Sequence, residues 1–259
     1  MMMKEIESIK KERVGDQAIN SLQETPDIET SSEDYASRFS GKVGEWFLGV
    51  QEKATLNMLS EGPNATVLDV GGGHGQLTGP LLSHGYNVTV VGSDETCQNR
   101  INEYLKEPSC RFEVGNLLDL PFENESFDVV VSFRLVPHVE QWPKLIAELT
   151  RVARKAVIVD YPTLKSINYL TPMFFKLKKR IEGNTRYYRS FYEDELLQAF
   201  KQSGFVRAGR YAEFFLPMVL HRAFKMPFLS SFTEGVFRSV GLTSLFGSPV
   251  ILKMVRSTG

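Results

Sequence analysis

Three glycines set the chemistry that this chain can hold. Gly71, Gly73 and Gly75 follow the apolar run "TVLDV" as G-x-G-x-G, a spacing that lets a backbone turn tightly and admit a ligand that side chains would exclude. A dinucleotide-binding turn requires G-x-G-x-x-G. Counted from Gly71, its last position holds Gln76; counted from Gly73, it holds Thr78. That fingerprint therefore fails. Asp69, just before the turn, suits a ligand carrying an ammonium group rather than phosphates. Asp94 stands about 20 residues further on, at the end of a second apolar run, where a carboxylate accepts both hydroxyls of a ribose. A nucleoside without phosphate fits this set best.

Other residues offer acid-base chemistry. Histidine is the side chain whose ordinary pKa suits proton transfer near neutrality. His138, in "RLVPHVEQW", is the first candidate for a general base, against a structural role bonding a loop. His74 lies inside the glycine turn and is expected to shape it. His84 precedes Gly85 and fits the end of a helix, where its charge meets the dipole. His221, in "PMVLHRAFKMPF", is a candidate for facing an acceptor, against a polar position on an apolar cover helix.

A basic and aromatic segment, "KLKKRIEGNTRYYRSFY", gathers Lys176, Lys178, Lys179, Arg180, Arg186 and Arg189 around Tyr187, Tyr188, Phe191 and Tyr192. It can grip an acidic or aromatic acceptor, rest on anionic headgroups as a peripheral membrane contact, or be a solvated helix face. The phenylalanines, leucines and methionines from Phe214 to Phe237 either line an apolar pocket or pack a cap. Their number outside the regular repeat favours a lipophilic or aromatic acceptor.

The elements that must position these groups follow from patterning. From Thr66 onward, Val- and Ile-rich runs alternate with amphipathic stretches: "TVLDV", "NVTVVGSD", "CRFEVG", "FDVVVSF" and "KAVIVDYP" read as strands, and "GQLTGPLLSHG", "TCQNRINEYLKE" and "WPKLIAELTRVA" as helices. Such alternation predicts a doubly wound α/β sheet covered on both faces. "EDELLQAFKQSGF" adds a helix, and "VRAGRYAEFFLP" and "SPVILKMVR" two last strands. The stretch between those strands is too long and apolar for a hairpin loop and reads as a helical insertion.

Residues 1–34 are polar and predict a flexible tail. Residues 35–259 form one domain: N-terminal lid helices over 35–62, a cofactor-binding core over 63–161, and insertions at the acceptor side over 162–192 and 217–247.

The 259 residues carry 30 Lys and Arg against 31 Asp and Glu, a formal charge of −1. Nothing in that balance calls for a nucleic-acid partner. Cys97 and Cys110 have neither disulfide-framework nor metal-ligand spacing, so no metal is expected. The N-terminal residues lack the apolar stretch of a secretory signal and no run reaches membrane-spanning length, which sets the expectation of a cytoplasmic protein, with membrane-peripheral contact open. No G-x-S-x-G or H-E-x-x-H occurs.

Four ordered blocks carry a resemblance. "VLDVGGGHG", "VVGSD", "VGNLLDLPFENESFDVVVSFRLVPHV" and "ELTRVARKAVIVDYP" resemble the successive motifs of class I S-adenosylmethionine-dependent methyltransferases, over roughly residues 35 to 256. The likeness is to their small-molecule branch of the ubiquinone and menaquinone biosynthesis type.

The resemblance implies a Rossmann-like seven-stranded sheet with a helical N-terminal lid and a helical cap, and S-adenosyl-L-methionine as cofactor, leaving as S-adenosyl-L-homocysteine. It implies the methionine end of the cofactor over Asp69, Gly71, Gly73 and Gly75, with its ribose on Asp94. Asn116 stands where the family usually has Asp reading the adenine amino group, so it offers a neutral acceptor. Leu117 packs on adenine or offers its N–H. Ser132, Phe133 and Arg134 border the methionine moiety and the acceptor, and Tyr35 and Arg38 match a lid helix.

The expected reaction is methyl transfer to an oxygen or carbon nucleophile of a small lipophilic or aromatic molecule, with His138 as base and Arg134, His138, Tyr187, Tyr188 and His221 toward the acceptor. Two rivals stand beside it: a non-catalytic S-adenosylmethionine-binding module and an NAD-dependent oxidoreductase. The latter is disfavoured by the broken fingerprint. A nucleic-acid methyltransferase lacks its N/D-P-P-Y/F motif after the fourth strand.

Overall fold

A computed structural model of the chain describes residues 23–166 and 187–257. Within them one sheet has seven strands: β1 Thr66–Val70, β2 Asn87–Gly92, β3 Cys110–Val114, β4 Phe127–Ser132, β5 Ala153–Tyr161, β6 Phe205–Ala212 and β7 Val250–Arg256. Their spatial order is β3-β2-β1-β4-β5-β7-β6. The first five pair parallel with one another, and β7 runs antiparallel to both β5 and β6. β1 and β4 sit side by side at the point where strand order reverses, and in open α/β sheets ligands bind there, beyond the carboxyl ends of the strands.

The helices are α1 Asp27–Thr30, α2 Glu33–Ser37, α3 Gly41–Met58, α4 Thr78–Ser83, α5 Trp142–Val152, α6 Glu193–Gln202, α7 Met218–Phe224, α8 Pro227–Ser239 and α9 Leu242–Phe246. Alternation along the strands divides the core. Leu68, Val70, Val91 and Val130 join Leu145, Leu149, Leu196 and Phe200 of α5 and α6 on one face of the sheet. Val67, Val90, Val129 and Val131 join Ala54 of α3 and Leu81 of α4 on the other. Two buried faces explain why these strands read as near-continuous apolar runs.

Three expectations are revised. Residues 96–107, read as a helix, form two short 3-10 turns, Glu95–Gln98 and Tyr104–Lys106. Asn99 and Asn102 favour local turns over a continuous helix. The helix after the glycine turn is shortened to α4 by the Gly79-Pro80 pair near its start.

The third revision concerns the tail, of which residues 23–31 are anchored to loops at the carboxyl ends of the strands. Asp27 is fully buried and accepts from the Ser93 N–H (2.7 Å), the Ser93 hydroxyl (2.5 Å) and the Cys97 thiol (3.3 Å). The Glu24 carboxylate accepts from the N–H groups of Glu140 and Gln141 at 2.6 and 2.9 Å. The segment is thus tied to the loops after β2 and after β4, the two strands that flank β1. Its polar composition reads as a tail because its apolar contribution is small; charge-assisted bonds to backbone N–H groups hold it instead.

Candidate functional site

The glycine turn leaves β1 in a left-handed step at Gly71 (φ 73°) and closes in another at Gly75 (φ 74°), which only glycine adopts without strain. The Gly71 N–H donates to the Val91 carbonyl at 2.9 Å, locking the turn to β2. Gly73 is required by the protein's own packing, since a Cβ there would collide with the Cys97 carbonyl and the Ser31 hydroxyl. Part of what reads in sequence as room for a ligand is therefore room for neighbouring loops.

Asp69 lies under the turn with no exposure and no hydrogen bond to either carboxylate oxygen among the described residues. Burial pushes its pKa up to about 7. An unpartnered buried carboxyl is costly, and a cationic ligand group beside the turn would offset that cost. The Nε2 atom of His74, the Nε2 atom of Gln76 and the Thr78 hydroxyl are likewise buried and unpartnered nearby in sequence. Burial first, and then the Arg134 guanidinium, push the His74 pKa down to about 3. Its neutral ring accepts the Gln76 N–H at Nδ1 (3.2 Å), so His74 shapes the turn as expected.

Asp94, two residues beyond β2, accepts the Thr96 N–H (2.8 Å) and hydroxyl (2.6 Å) through Oδ1. Those bonds hold its pKa below the usual carboxylate value. Asn116 spends its amide oxygen on the Leu118 N–H at 2.9 Å, an Asx turn that fixes its loop. The side chain of Leu117 is fully buried in the core. Ser132 and Phe133 are also fully buried, and the Ser132 hydroxyl donates to the Val70 carbonyl at 3.0 Å. They are wall rather than open contacts.

Two cavities meet beside this turn. One, of about 600 Å³, is lined by His74, Gly75, Gln76 and Arg100 together with Tyr35, Phe39, Leu48 and Arg134. The other, of about 210 Å³, shares Tyr35, Phe39, Leu48 and Arg134 and adds Gln51, His138, Asp160, Tyr188, Glu213 and Met218. Arg134 stands between them. It has a left-handed backbone (φ 58°), uncommon for a residue with a Cβ and typical of positions over-determined by their surroundings. Its N–H donates to Asp160 Oδ1 (2.6 Å), its guanidinium to Gln76 and to Gln51 (3.3 Å), and its Cζ lies 4.1 Å from the Phe39 ring centre.

The floor of the smaller cavity holds a pair of carboxyl groups that sequence reasoning missed. Asp160 is the penultimate residue of β5, and Glu213 follows β6. Gln51 of α3 donates to both, at 3.3 Å to Asp160 Oδ2 and 2.9 Å to Glu213 Oε1. Burial pushes Asp160 up to about 6 against the opposing Arg134 N–H and charge. Burial, then the Asp160 charge, push Glu213 up to about 8. The available signal was an acid at the carboxyl end of an otherwise apolar strand. Glu213 carried none, because its partner Gln51 is 162 residues away.

The structure therefore brings Tyr35, Arg134, His138 and Tyr188 to one cavity, with the His138 ring 5.3 Å from that of Tyr188 and its Nδ1 atom 3.1 Å from the Tyr187 carbonyl. Tyr187 reaches this group through that carbonyl, and its ring lines neither cavity.

Two expectations are corrected. Arg38 lines neither cavity, its guanidinium lying 3.7 Å from Glu29 and 4.9 Å from the Tyr35 ring centre. His221 is fully buried, its Nε2 atom 3.0 Å from Glu234 Oε1 and its ring among Trp46, Phe47, Phe214 and Phe224. It ties the cap together and faces no acceptor. Lys176, Lys178, Lys179, Arg180 and Arg186 of the basic segment fall outside the described residues.

Residues 68–159 match the profile of the family described as a methyltransferase domain. The chain is 31% identical over 108 residues to phthiotriol/phenolphthiotriol dimycocerosates methyltransferase of Mycobacterium leprae (strain TN), covering 39% of this chain and 38% of that one. It is 32% identical over 109 residues to 2-phytyl-1,4-naphtoquinone methyltransferase of Trichormus variabilis (strain ATCC 29413 / PCC 7937), covering 38% of this chain and 48% of that one. The chain thus spans less than half the length of these relatives. In fold it is similar to magnesium protoporphyrin IX methyltransferase from Synechocystis PCC 6803, solved with bound SAH, at a TM-score of 0.59 and 18% identity, covering 86% of this chain and 94% of that one. The fold is that of class I methyltransferases, as the sequence motifs implied.

Proposed function

We propose that this chain, with its class I methyltransferase fold, transfers a methyl group from S-adenosyl-L-methionine to a small lipophilic or aromatic molecule. The observation that carries the reading is the buried, unpartnered Asp69 carboxyl beneath the Gly71–Gly75 turn, in a stretch that matches the methyltransferase-domain profile. Asp69 and the turn fit an α-ammonium and its carboxylate. Asp94 fits the ribose hydroxyls, and the Asn116–Leu117 loop the adenine edge. Bound there, the cofactor supplies an already activated sulfonium methyl.

What remains for the chain is to align an acceptor and exclude water. The cavity lined by Tyr35, Phe39, Phe47, Leu48 and Met218 offers apolar walls for that acceptor. Arg134 separates it from the turn, and His138, which lines the same cavity, would take a proton from an acceptor hydroxyl. The names of the relatives, a phthiotriol-type and a naphtoquinone-type methyltransferase, agree with an oxygen or carbon nucleophile on a greasy scaffold. Replacing His138 by Gln should lower kcat on a hydroxyl acceptor by about a hundredfold, in the range for loss of a general base, with cofactor affinity unchanged. An unaltered kcat would remove His138 from proton transfer.

Calorimetric titration with S-adenosylmethionine, S-adenosylhomocysteine and NAD tests the cofactor directly. Saturable binding of the first two and none of NAD is expected; binding of NAD alone would overturn the reading. The pH dependence of that binding is a sharper check on Asp69. In the free protein its proton is held up to about pH 7, whereas a ligand ammonium favours the ionised carboxylate. Affinity should therefore rise with pH through about 7, with proton release at lower pH, and decline once the ligand's own α-ammonium titrates near about 8. Asp69→Asn should flatten the rise, and a pH-independent affinity in the unaltered protein would exclude Asp69 from the ammonium site.

A further inference from the structure

The cap helices are built inside out. On α8, Ser230 and Glu234 point inward and are buried, while Phe228, Phe232 and Val236, spaced four apart on one helical face, point outward. Phe228 is 79% exposed and Phe232 62%. On that inward face Glu234 is fully bonded, whereas the Ser230 hydroxyl has no hydrogen-bond partner among the described residues. Glu234 accepts the N–H groups of Phe215 and Leu216 (both 2.9 Å), lies 3.0 Å from His221 Nε2 and accepts the Thr243 hydroxyl (3.3 Å). Burial pushes its carboxyl up, but those bonds outweigh it and hold it below the usual range. Val219 on α7, Met226 between α7 and α8, and Leu245 on α9 extend the exposed apolar surface. An apolar patch of this extent is far beyond scattered exposed residues and marks a surface meant for something other than water.

The charges around the patch identify its partner. Over residues 218–246 the cations are Arg222, Lys225 and Arg238, and the one acid is the buried Glu234. Lys225, next to exposed Met226, also lines an open groove of about 510 Å³ with Arg38, Lys42 and Arg222. These four cations come from the start of the lid and the end of α7. Neither Lys42 nor Lys225 has an ion-pair partner among the described residues, and only Arg38 faces an acid, Glu29 at 3.7 Å. The first residues of α3, Gly41 to Gly44, form part of the same wall. Arg222 donates to the Arg38 carbonyl at 2.9 Å. An outward apolar helix face edged by cations, with Lys42 and Lys225 free of ion pairs among the described residues, matches an interfacial membrane site, apolar groups in the acyl boundary and cations at phosphates. A second copy of the chain would bring four more cations to the same edge.

We propose that the outer face of α7, α8 and α9 docks on a membrane surface bearing anionic headgroups, with the Arg38–Lys42–Arg222–Lys225 groove receiving a headgroup phosphate. Met218 at the start of α7 lines the smaller cavity, so the docking face and that cavity share a helix. The inference stands independently of methyl transfer.

Co-sedimentation of the full chain with phosphatidylcholine vesicles, and with vesicles of phosphatidylcholine and phosphatidylglycerol in equal parts, tests it. Binding to the anionic vesicles is expected, weakening with salt. The exposed pair Phe228→Ser/Phe232→Ser should abolish it without lowering the melting temperature. Lys42→Ala/Lys225→Ala should weaken binding to anionic vesicles by on the order of tenfold or more, at about fivefold per cation. Equal binding to both vesicle types, or none to either, would overturn the proposal. So would a dimer in light scattering that Phe228→Ser/Phe232→Ser converts to monomer while vesicles go unbound.

Discussion

Asp94→Ala is expected to weaken S-adenosylmethionine binding by at least about a hundredfold, the loss of two hydrogen bonds to a charged acceptor. The geometry behind the number is local. Val70 of β1 pairs with Val91 of β2, and the Gly71 N–H reaches the Val91 carbonyl, so the glycine turn and the Asp94 loop leave the sheet side by side. Asp94 Oδ1 is held by Thr96, and no hydrogen bond reaches Oδ2 among the described residues. One oxygen is thus fixed by the protein, and the proposed ribose diol would bond the other. The same Thr96 bonds hold its pKa below the usual carboxylate value and favour the ionised form.

A control separates the two roles of this residue. Asp94→Asn preserves an oxygen for Thr96 but removes the charge, so its binding should fall between the two. S-adenosylhomocysteine, which shares the ribose, should lose affinity in parallel. Calorimetry reads all of these, and an Asp94→Ala protein that binds as tightly as the unaltered chain would remove the ribose assignment. Fluorescence-monitored melting checks that the variant remains folded, since the lost cap affects only the short Glu95–Gln98 turn.

How much of this was legible in the sequence depends on the range of the interaction that defines each feature. The strands were legible because Val and Ile runs report burial on two faces, a property of each strand alone. The glycine turn, Asp69 and Asp94 were legible because each lies within a few residues of a strand end. The Asn99 and Asn102 turns were misread because a short amphipathic stretch looks alike whether it closes as one helix or two 3-10 turns. Asp27 was lost in a polar tail, since nothing local says that its carboxylate meets Ser93, 66 residues on. His221 was misjudged for the same reason: its partner Glu234 sits 13 residues away on another helix, and only the fold shows that α8 turns its polar side inward.

The Asp160–Glu213 pair lies at the far end of that scale and gives the second large effect. Two carboxyl groups in one buried site do not ionise together readily. Gln51 donates to both, Arg134 faces Asp160, and the Arg238 guanidinium donates to the Glu213 carbonyl at 2.9 Å rather than to its carboxylate. Tyr35, His138 and Tyr188 are the other titratable groups around the cavity. Glu213, raised from its ordinary 4.5 to about 8, therefore keeps its proton in the folded chain while the unfolded chain releases it. Where the folded state binds more protons, stability falls as pH rises. The Glu213 contribution is favourable relative to alkaline conditions below about 4.5 and is lost progressively between about 4.5 and about 8. Asp160, raised from 3.8 to about 6, acts in the same direction over the lower part of that window. Glu213→Gln keeps an amide oxygen for the Gln51 bond and removes the ionisation. At pH above about 8 it should stabilise the chain by about 3 kcal/mol, allowing for sharing of the shift with Asp160, and near pH 4.5 it should change little. Urea unfolding across that range measures both ends. A variant that destabilises the protein equally at every pH would mean that the Glu213 carboxylate is paired in the folded state, and that the floor of the cavity carries a full second negative charge.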